Sequence, residues 1–156
     1  MKKNYFYLLF MALCTVCMFT ACSSDDDDDK DTNKPIVLND IVGTYNGTLQ
    51  VMGTSLEEQL VVEKVDDSKV RVVLKDFTFA NMPIGTISAE CAAVKDDNGT
   101  AYDIYGTAVI TVAMFNNAEL PVTVDGDCNG KELDVTIAIK EAPMVGDIEV
   151  EFYGKK

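Results

Sequence analysis

The chain has 156 residues, enough for one ordinary domain, with 26 acidic residues, 13 basic residues and a formal charge of −13. It contains no histidine and no tryptophan, and the lack of histidine excludes Ser-His-Asp and Cys-His catalysis and histidine-liganded zinc sites. The acidic balance argues against nucleic-acid binding, which needs basic groups to neutralise phosphates.

The N-terminal segment, residues 1–21, has the composition of a secretory signal peptide. Lys2 and Lys3 form a short basic region, and an uncharged apolar run follows at 5–19. Because this run is shorter than the roughly 20 residues of a membrane-spanning helix, we interpret it as a cleaved signal. A signal anchor is the alternative.

The end of this segment, Phe19-Thr20-Ala21-Cys22, resembles the lipobox of bacterial lipoproteins. The resemblance implies cleavage before Cys22, attachment of a diacylglyceryl group to its thiol and acylation of the new amino terminus. Phe19 departs from the Leu, Val or Ile that is usual at its position. Two or three acyl chains anchor a protein stably in a membrane. Cleavage by the ordinary signal peptidase, with Cys22 left as a free thiol, is the alternative.

The acidic run after Cys22 resembles the surface-export signal of lipoproteins from the Bacteroidetes phylum. Since like charges repel and carboxylates resist desolvation, residues 22–35 are expected to form an extended linker. Serine beside Cys22 also fits export to the outer membrane. We therefore predict an outer-membrane protein that is lipid-anchored through Cys22 and exposed at the cell surface. The export signal is Ser23, Ser24, Asp25, Asp26, Asp27, Asp28 and Asp29.

Residues 36–154 are predicted to form one domain built from β-strands. The region is acidic in its own right, because residues 32–156 contain 20 acidic and 10 basic residues. Short segments rich in Val, Ile and Thr alternate with turn residues, and no sustained apolar stripe has helical spacing. The eight predicted strands are 41–52, 56–65, 69–79, 84–94, 100–113, 118–128, 131–140 and 147–153.

The last three predicted strands alternate most clearly between apolar and polar residues, as antiparallel strands do when one face covers a core. Asn129-Gly130 lies between two of them and is a strong hairpin signal. Eight short strands joined by hairpins fit either an up-and-down barrel or a sandwich.

Several stretches resemble the calycin-like β-barrel domain of Bacteroidetes lipoproteins. The resemblance covers about residues 38–154 and implies an all-β, eight-stranded antiparallel up-and-down barrel, similar to that of lipocalins. This family has no settled biochemical activity. The stretches, in order, are IVGTYNGTL (41–49), FTFANMPIG (77–85), YGT (105–107), LPVTVDG (120–126) and VEFYG (150–154).

The first of these stretches carries Gly43-Thr44-Tyr45 where true lipocalins carry Gly-x-Trp. The resemblance implies that Tyr45 closes the barrel floor with a smaller ring. Lipocalins also pack a late-strand arginine over that Trp. Here the single arginine is Arg71, in the third predicted strand, and Lys155 lies beyond the last one.

Six aromatic residues are candidates for the barrel floor or for a ligand pocket. An eight-stranded barrel is near the size at which side chains either fill the interior or leave room for a small ligand. Both interpretations stay open, with core filling as the default. The residues are Tyr45, Phe77, Phe79, Tyr102, Tyr105 and Phe152.

The cysteines of the predicted domain are Cys91 and Cys128. Export permits a disulfide, but the fourth and sixth strands of a meander are not neighbours, so two buried reduced thiols are the preferred interpretation. The acidic hairpin from Asp125 resembles the start of an EF-hand, yet Thr136 stands where a bidentate glutamate is required. We expect no metal, no cofactor and no catalytic residue.

The sequence therefore predicts a non-enzymatic, surface-anchored lipoprotein whose barrel binds a small, apolar or amphiphilic ligand. The alternative is a structural or interaction lipoprotein whose outer wall binds an envelope protein or a glycan.

Overall fold

A computed structural model describes residues 35–156; the predicted signal peptide, Cys22 and the export signal lie outside this range. Eight antiparallel strands follow one another in chain order and close into a barrel. The predicted all-β up-and-down barrel is confirmed, and the sandwich is excluded. The strands are β1 (Gly43–Val51), β2 (Thr54–Lys64), β3 (Lys69–Phe79), β4 (Met82–Lys95), β5 (Tyr102–Val112), β6 (Ala118–Cys128), β7 (Glu132–Ala142) and β8 (Gly146–Lys155).

The observed strand boundaries lie within two residues of the predicted ones, and the first strand differs for a local reason. Its predicted start, at residue 41, is the end of a one-turn helix, α1 (Leu38–Ile41). A carboxylate oxygen of Asp40 accepts a hydrogen bond from the backbone N–H of Val37 at 2.9 Å, which holds this turn. The helix buries Leu38 and Ile41 against the barrel.

The barrel is filled by apolar side chains from its own strands. Because successive strand residues point to opposite faces, alternate Val, Ile and Leu residues point inward. They join one contiguous cluster that includes residues from all eight strands. No helix within residues 35–156 is long and apolar enough to span a membrane.

Glycines allow β1 and β8 to approach closely where the barrel closes. Gly47 lies opposite Gly154 in this pair, and a side chain at Gly47 would overlap the carbonyl oxygen of Tyr153. Gly126 has the same relation to the backbone of Asp134 in β7. Glycine at such positions lets strands bend sharply enough to close a small barrel.

The two ends of the barrel have different connections. The end called the floor holds α1 and the turns 65–68, 96–101 and 129–131. The opposite end, called the mouth, consists of the turns 52–53, 80–81, 113–117 and 143–145.

Candidate functional site: the floor and the mouth

Tyr45 is the central side chain of the floor. It points inward from β1 and is fully buried. Its hydroxyl donates a hydrogen bond to the carbonyl oxygen of Ile41 at 2.8 Å and lies 3.1 Å from the sulfur of Cys128. Burial, and then the contact with Cys128, raise the pKa of Tyr45 well above its usual range. Tyr45 is therefore a neutral structural residue that ties α1 to β1 and β6.

Lys156 packs against this tyrosine, and the sequence analysis missed it. Its ammonium lies 5.8 Å from the centre of the Tyr45 ring and donates a hydrogen bond to the carbonyl oxygen of Asp40 at 2.8 Å. Lys155, considered earlier, instead pairs with Glu132 at 2.8 Å. Strand β8 continues to residue 155, two residues beyond its predicted end. Lys156 thus lies over the floor ring, the role that the resemblance to lipocalins gives to a late-strand arginine.

Both cysteines of the barrel are free and buried, which confirms the preferred interpretation. Burial raises the pKa of the Cys91 thiol to about 11. Burial also raises the pKa of Cys128, although the Tyr45 hydroxyl opposes this shift. Both groups are therefore protonated near neutral pH, and a protonated buried thiol is a poor nucleophile.

The other aromatic candidates divide between the interior and the outer wall. Phe77 and Phe152 are fully buried, and Phe79 and Tyr102 pack against the core from its edges. Tyr105 does not belong to the barrel interior or its floor: it is 50% exposed because it alternates with the buried Ile104 and points outward. The inward aromatics fill the barrel together with the aliphatic residues.

The mouth differs chemically from the floor because its four turns contain no charged residue. Each turn, or the strand residue next to it, instead carries one methionine. The exposed fraction is 100% for Met144, 65% for Met52 and 44% for Met114, and Met82 is half-buried. The half-buried Phe79 and Phe115 lie beside them and pack against the core.

The spacing of these methionines was visible in the sequence but was not used. They are separated by 30, 32 and 30 residues, the length of two strands with their turns. In an up-and-down barrel, every second turn lies at the same end. All four methionines of residues 35–156 therefore meet at the mouth.

Two of these methionines have backbone conformations that favour glycine. Met52 has φ of 46° and Met144 has φ of 70°. The left-handed conformation costs a non-glycine residue about 1–2 kcal/mol. Turn geometry therefore does not account for methionine at these two positions.

The outer wall carries a row of like charges across three strands. Asp103 on β5 lies opposite Asp127 on β6, which lies opposite Asp134 on β7. Partial burial and repulsion from the other two carboxylates raise the pKa of Asp127. An open cleft of about 390 Å³ beside this row includes Asp103, Asp127 and Tyr105.

The acidic hairpin that resembles an EF-hand is an ordinary β-turn connection. The Asn129 side-chain oxygen accepts hydrogen bonds from the backbone N–H groups of Lys131 and Glu132, at 3.0 and 2.8 Å. Within residues 35–156, no group of three or more acidic or cysteine side chains is arranged to hold a metal ion. The hairpin is thus accounted for by turn formation.

The calycin-like β-barrel domain family matches residues 41–155, which is nearly the whole barrel. The chain belongs to this family. Among curated proteins, none matches it. The family assignment agrees with the closed eight-stranded topology.

A solved structure supports the same fold. A protein of Bacteroides fragilis described as a "putative outer membrane protein" is similar with a TM-score of 0.56 and 24% identity, over 76% of this chain and 52% of that one. This chain thus spans about half the length of that neighbour. A redesigned β-barrel bound to DFHBI has a TM-score of 0.48 and 13% identity, over 76% of this chain and 96% of that one.

Proposed function

We propose that this protein is a lipid-anchored outer-membrane protein, exposed at the cell surface, whose calycin-like barrel binds a small apolar or amphiphilic ligand at its mouth. The uncharged, methionine-bearing mouth is the observation that carries the proposal. Within a chain of net charge −13, its four turns carry no charge and expose three methionines beside the polar Asn81, Asn116 and Asn117.

The mouth is a better ligand site than the barrel centre. The centre is occupied by a contiguous cluster of the protein's own apolar side chains. A ligand at the mouth needs to displace only exposed or half-buried side chains. Methionine suits this role because its unbranched, polarizable side chain adapts to different ligand shapes.

The position of the chain's entry point fits this arrangement. The chain enters the barrel at the floor, where the backbone N–H of Ile36 donates a hydrogen bond to the carbonyl oxygen of Gly99 at 3.1 Å. The 14 residues from Cys22 to residue 35 span at most about 50 Å. An anchor at Cys22 would therefore be connected to the end of the barrel opposite the mouth.

Native mass spectrometry of the protein purified from its own envelope tests this proposal. We expect a copurified small molecule, and the Met52→Gln/Met144→Gln variant should retain less of it because glutamine has similar length but is polar. The matched control is Val65→Gln, at an exposed residue of the floor. Equal ligand occupancy in the two variants, or no ligand with the wild type, would contradict the proposal.

The second candidate is a partner surface on the outer wall, for an envelope protein or a glycan. Its support is the carboxylate row Asp103–Asp127–Asp134, which lies near the exposed rings of Tyr105 and Tyr153. Cross-linking on intact cells should then recover a reproducible partner that is lost with Tyr105→Ala. Recovery of the same partner from that variant would count against this role.

A further inference from the structure

The sulfur atoms of the barrel are divided between two environments. The four thioethers of Met52, Met82, Met114 and Met144 lie at the mouth, and three of them are exposed. The two thiols, Cys91 and Cys128, lie in the core with no solvent exposure. This division predicts which sulfur atoms meet an oxidant dissolved in water.

Both access and protonation protect the thiols. Peroxides react with the thiolate, and the raised pKa of about 11 lowers the thiolate fraction of Cys91 about a hundredfold relative to a thiol at 9.0. The thioether of methionine needs no deprotonation, so its oxidation depends mainly on exposure.

We propose that the methionines of the mouth form an oxidation site for peroxides. The thioether sulfur attacks the outer oxygen of a peroxide ROOH, so that an S–O bond forms and the O–O bond breaks. The sulfur loses two electrons, and the leaving oxygen takes the proton and departs as ROH. Each event converts one apolar side chain of the mouth into a polar sulfoxide.

The barrel should keep its fold through this reaction. Methionine oxidation usually damages a protein when the sulfur lies in the core. Among residues 35–156, the contiguous core cluster contains no methionine. The added oxygens therefore lie at the mouth, and the packing around Tyr45, Phe77 and Phe152 should be unaffected.

Oxidation then regulates ligand binding at the mouth. This step depends on the proposed ligand function, because four sulfoxides would make the proposed binding surface polar. We expect the oxidised protein to lose its apolar ligand while it remains folded.

A peroxide titration of the protein purified from its envelope tests the modification itself. Peptide mass mapping should find sulfoxide first at Met144 and Met52, then at Met114 and last at Met82, in the order of their exposure. Cys91 and Cys128 should remain thiols, and the melting temperature should stay within a few degrees of the untreated value. Oxidation of the cysteines before the methionines, or unfolding that accompanies sulfoxide formation, would overturn the proposal.

The variant Met52→Leu/Met144→Leu separates regulation from modification, since leucine is apolar and resists oxidation. With a photoreactive fatty acid as probe, peroxide should abolish cross-linking of the wild type and spare more of it in the variant. Equal loss in both proteins would overturn the regulatory step. If the untreated wild type never cross-links while the sulfoxides form in the predicted order, the proposed ligand function fails and the oxidation site stands.

Discussion

The floor and the mouth of this barrel differ in the contacts that their residues make. At the floor, Tyr45 and Lys156 each donate a hydrogen bond to a carbonyl oxygen of α1, and the Lys156 ammonium lies over the Tyr45 ring. At the mouth, uncharged turns carry exposed methionines, two of them in backbone conformations that favour glycine. From this difference we expect the floor to contribute more to stability than the mouth, where the proposed ligand site lies.

The largest expected effect is at the floor. Tyr45→Ala removes a fully buried ring and should lower the free energy of unfolding by about 3–5 kcal/mol, through lost burial and the cavity it leaves. Tyr45→Phe keeps the ring and should cost about 1 kcal/mol for the hydroxyl's bond to Ile41. Urea unfolding measures both. Similar losses in the two variants would contradict a floor held mainly by the buried ring.

Replacement of Lys156 tests the contact between the chain's last residue and the floor. Lys156→Met should cost about 1 kcal/mol, since it removes the ammonium from the Tyr45 ring and from the Asp40 carbonyl. Lys155→Met is the control, because that lysine forms an exposed ion pair and should change stability little. The role given to Lys156 is contradicted if, in urea unfolding, Lys155→Met lowers the free energy of unfolding more than Lys156→Met does.

At the mouth, a change of opposite sign is expected. Met144→Gly should leave stability unchanged or raise it by up to about 1 kcal/mol, because glycine adopts a φ of 70° without the steric cost. The same variant should bind less of the photoreactive fatty acid. A loss of stability comparable to that of Tyr45→Ala would contradict the expected difference in stability between the floor and the mouth.

The smallest effect is expected on the outer wall and depends on pH. The pKa of Asp127 is raised in the folded state, so its charged form destabilises the barrel above that pKa. Asp127→Asn should therefore stabilise by less than about 1 kcal/mol at pH 7, and the gain should shrink as pH falls through the folded-state pKa. Asp125→Asn is the control, because its cross-strand neighbours are Tyr105 and Thr136. Denaturant midpoints measured across pH test this prediction. A stability gain that does not change with pH would contradict it.

Local patterns in the sequence were sufficient to predict the eight strands, and the family resemblance selected the barrel over the sandwich. Alternation and hairpin signals such as Asn129-Gly130 act over a few residues, and they located all eight strands. Tyr45 was found through the family resemblance. The outward position of Tyr105 was also available, because strict alternation from Ile104 places it on the outer face.

Non-local features were harder to predict. The contact of Lys156 with Tyr45 depends on how far β8 continues, which is set by its pairing with β1 and β7. The gathering of methionines at the mouth requires the closed order of all eight strands. The regular spacing of the methionines becomes informative only once an up-and-down strand order is assumed.

The most direct test of binding at the mouth is the location of a cross-linked ligand. A photoreactive fatty acid is added to cells, activated by light and mapped by peptide mass spectrometry on the mature protein. We predict cross-links on the peptides that contain Met52, Met82, Met114 and Met144. Cross-links confined to the outer wall of β5–β8 or to the floor would contradict the account.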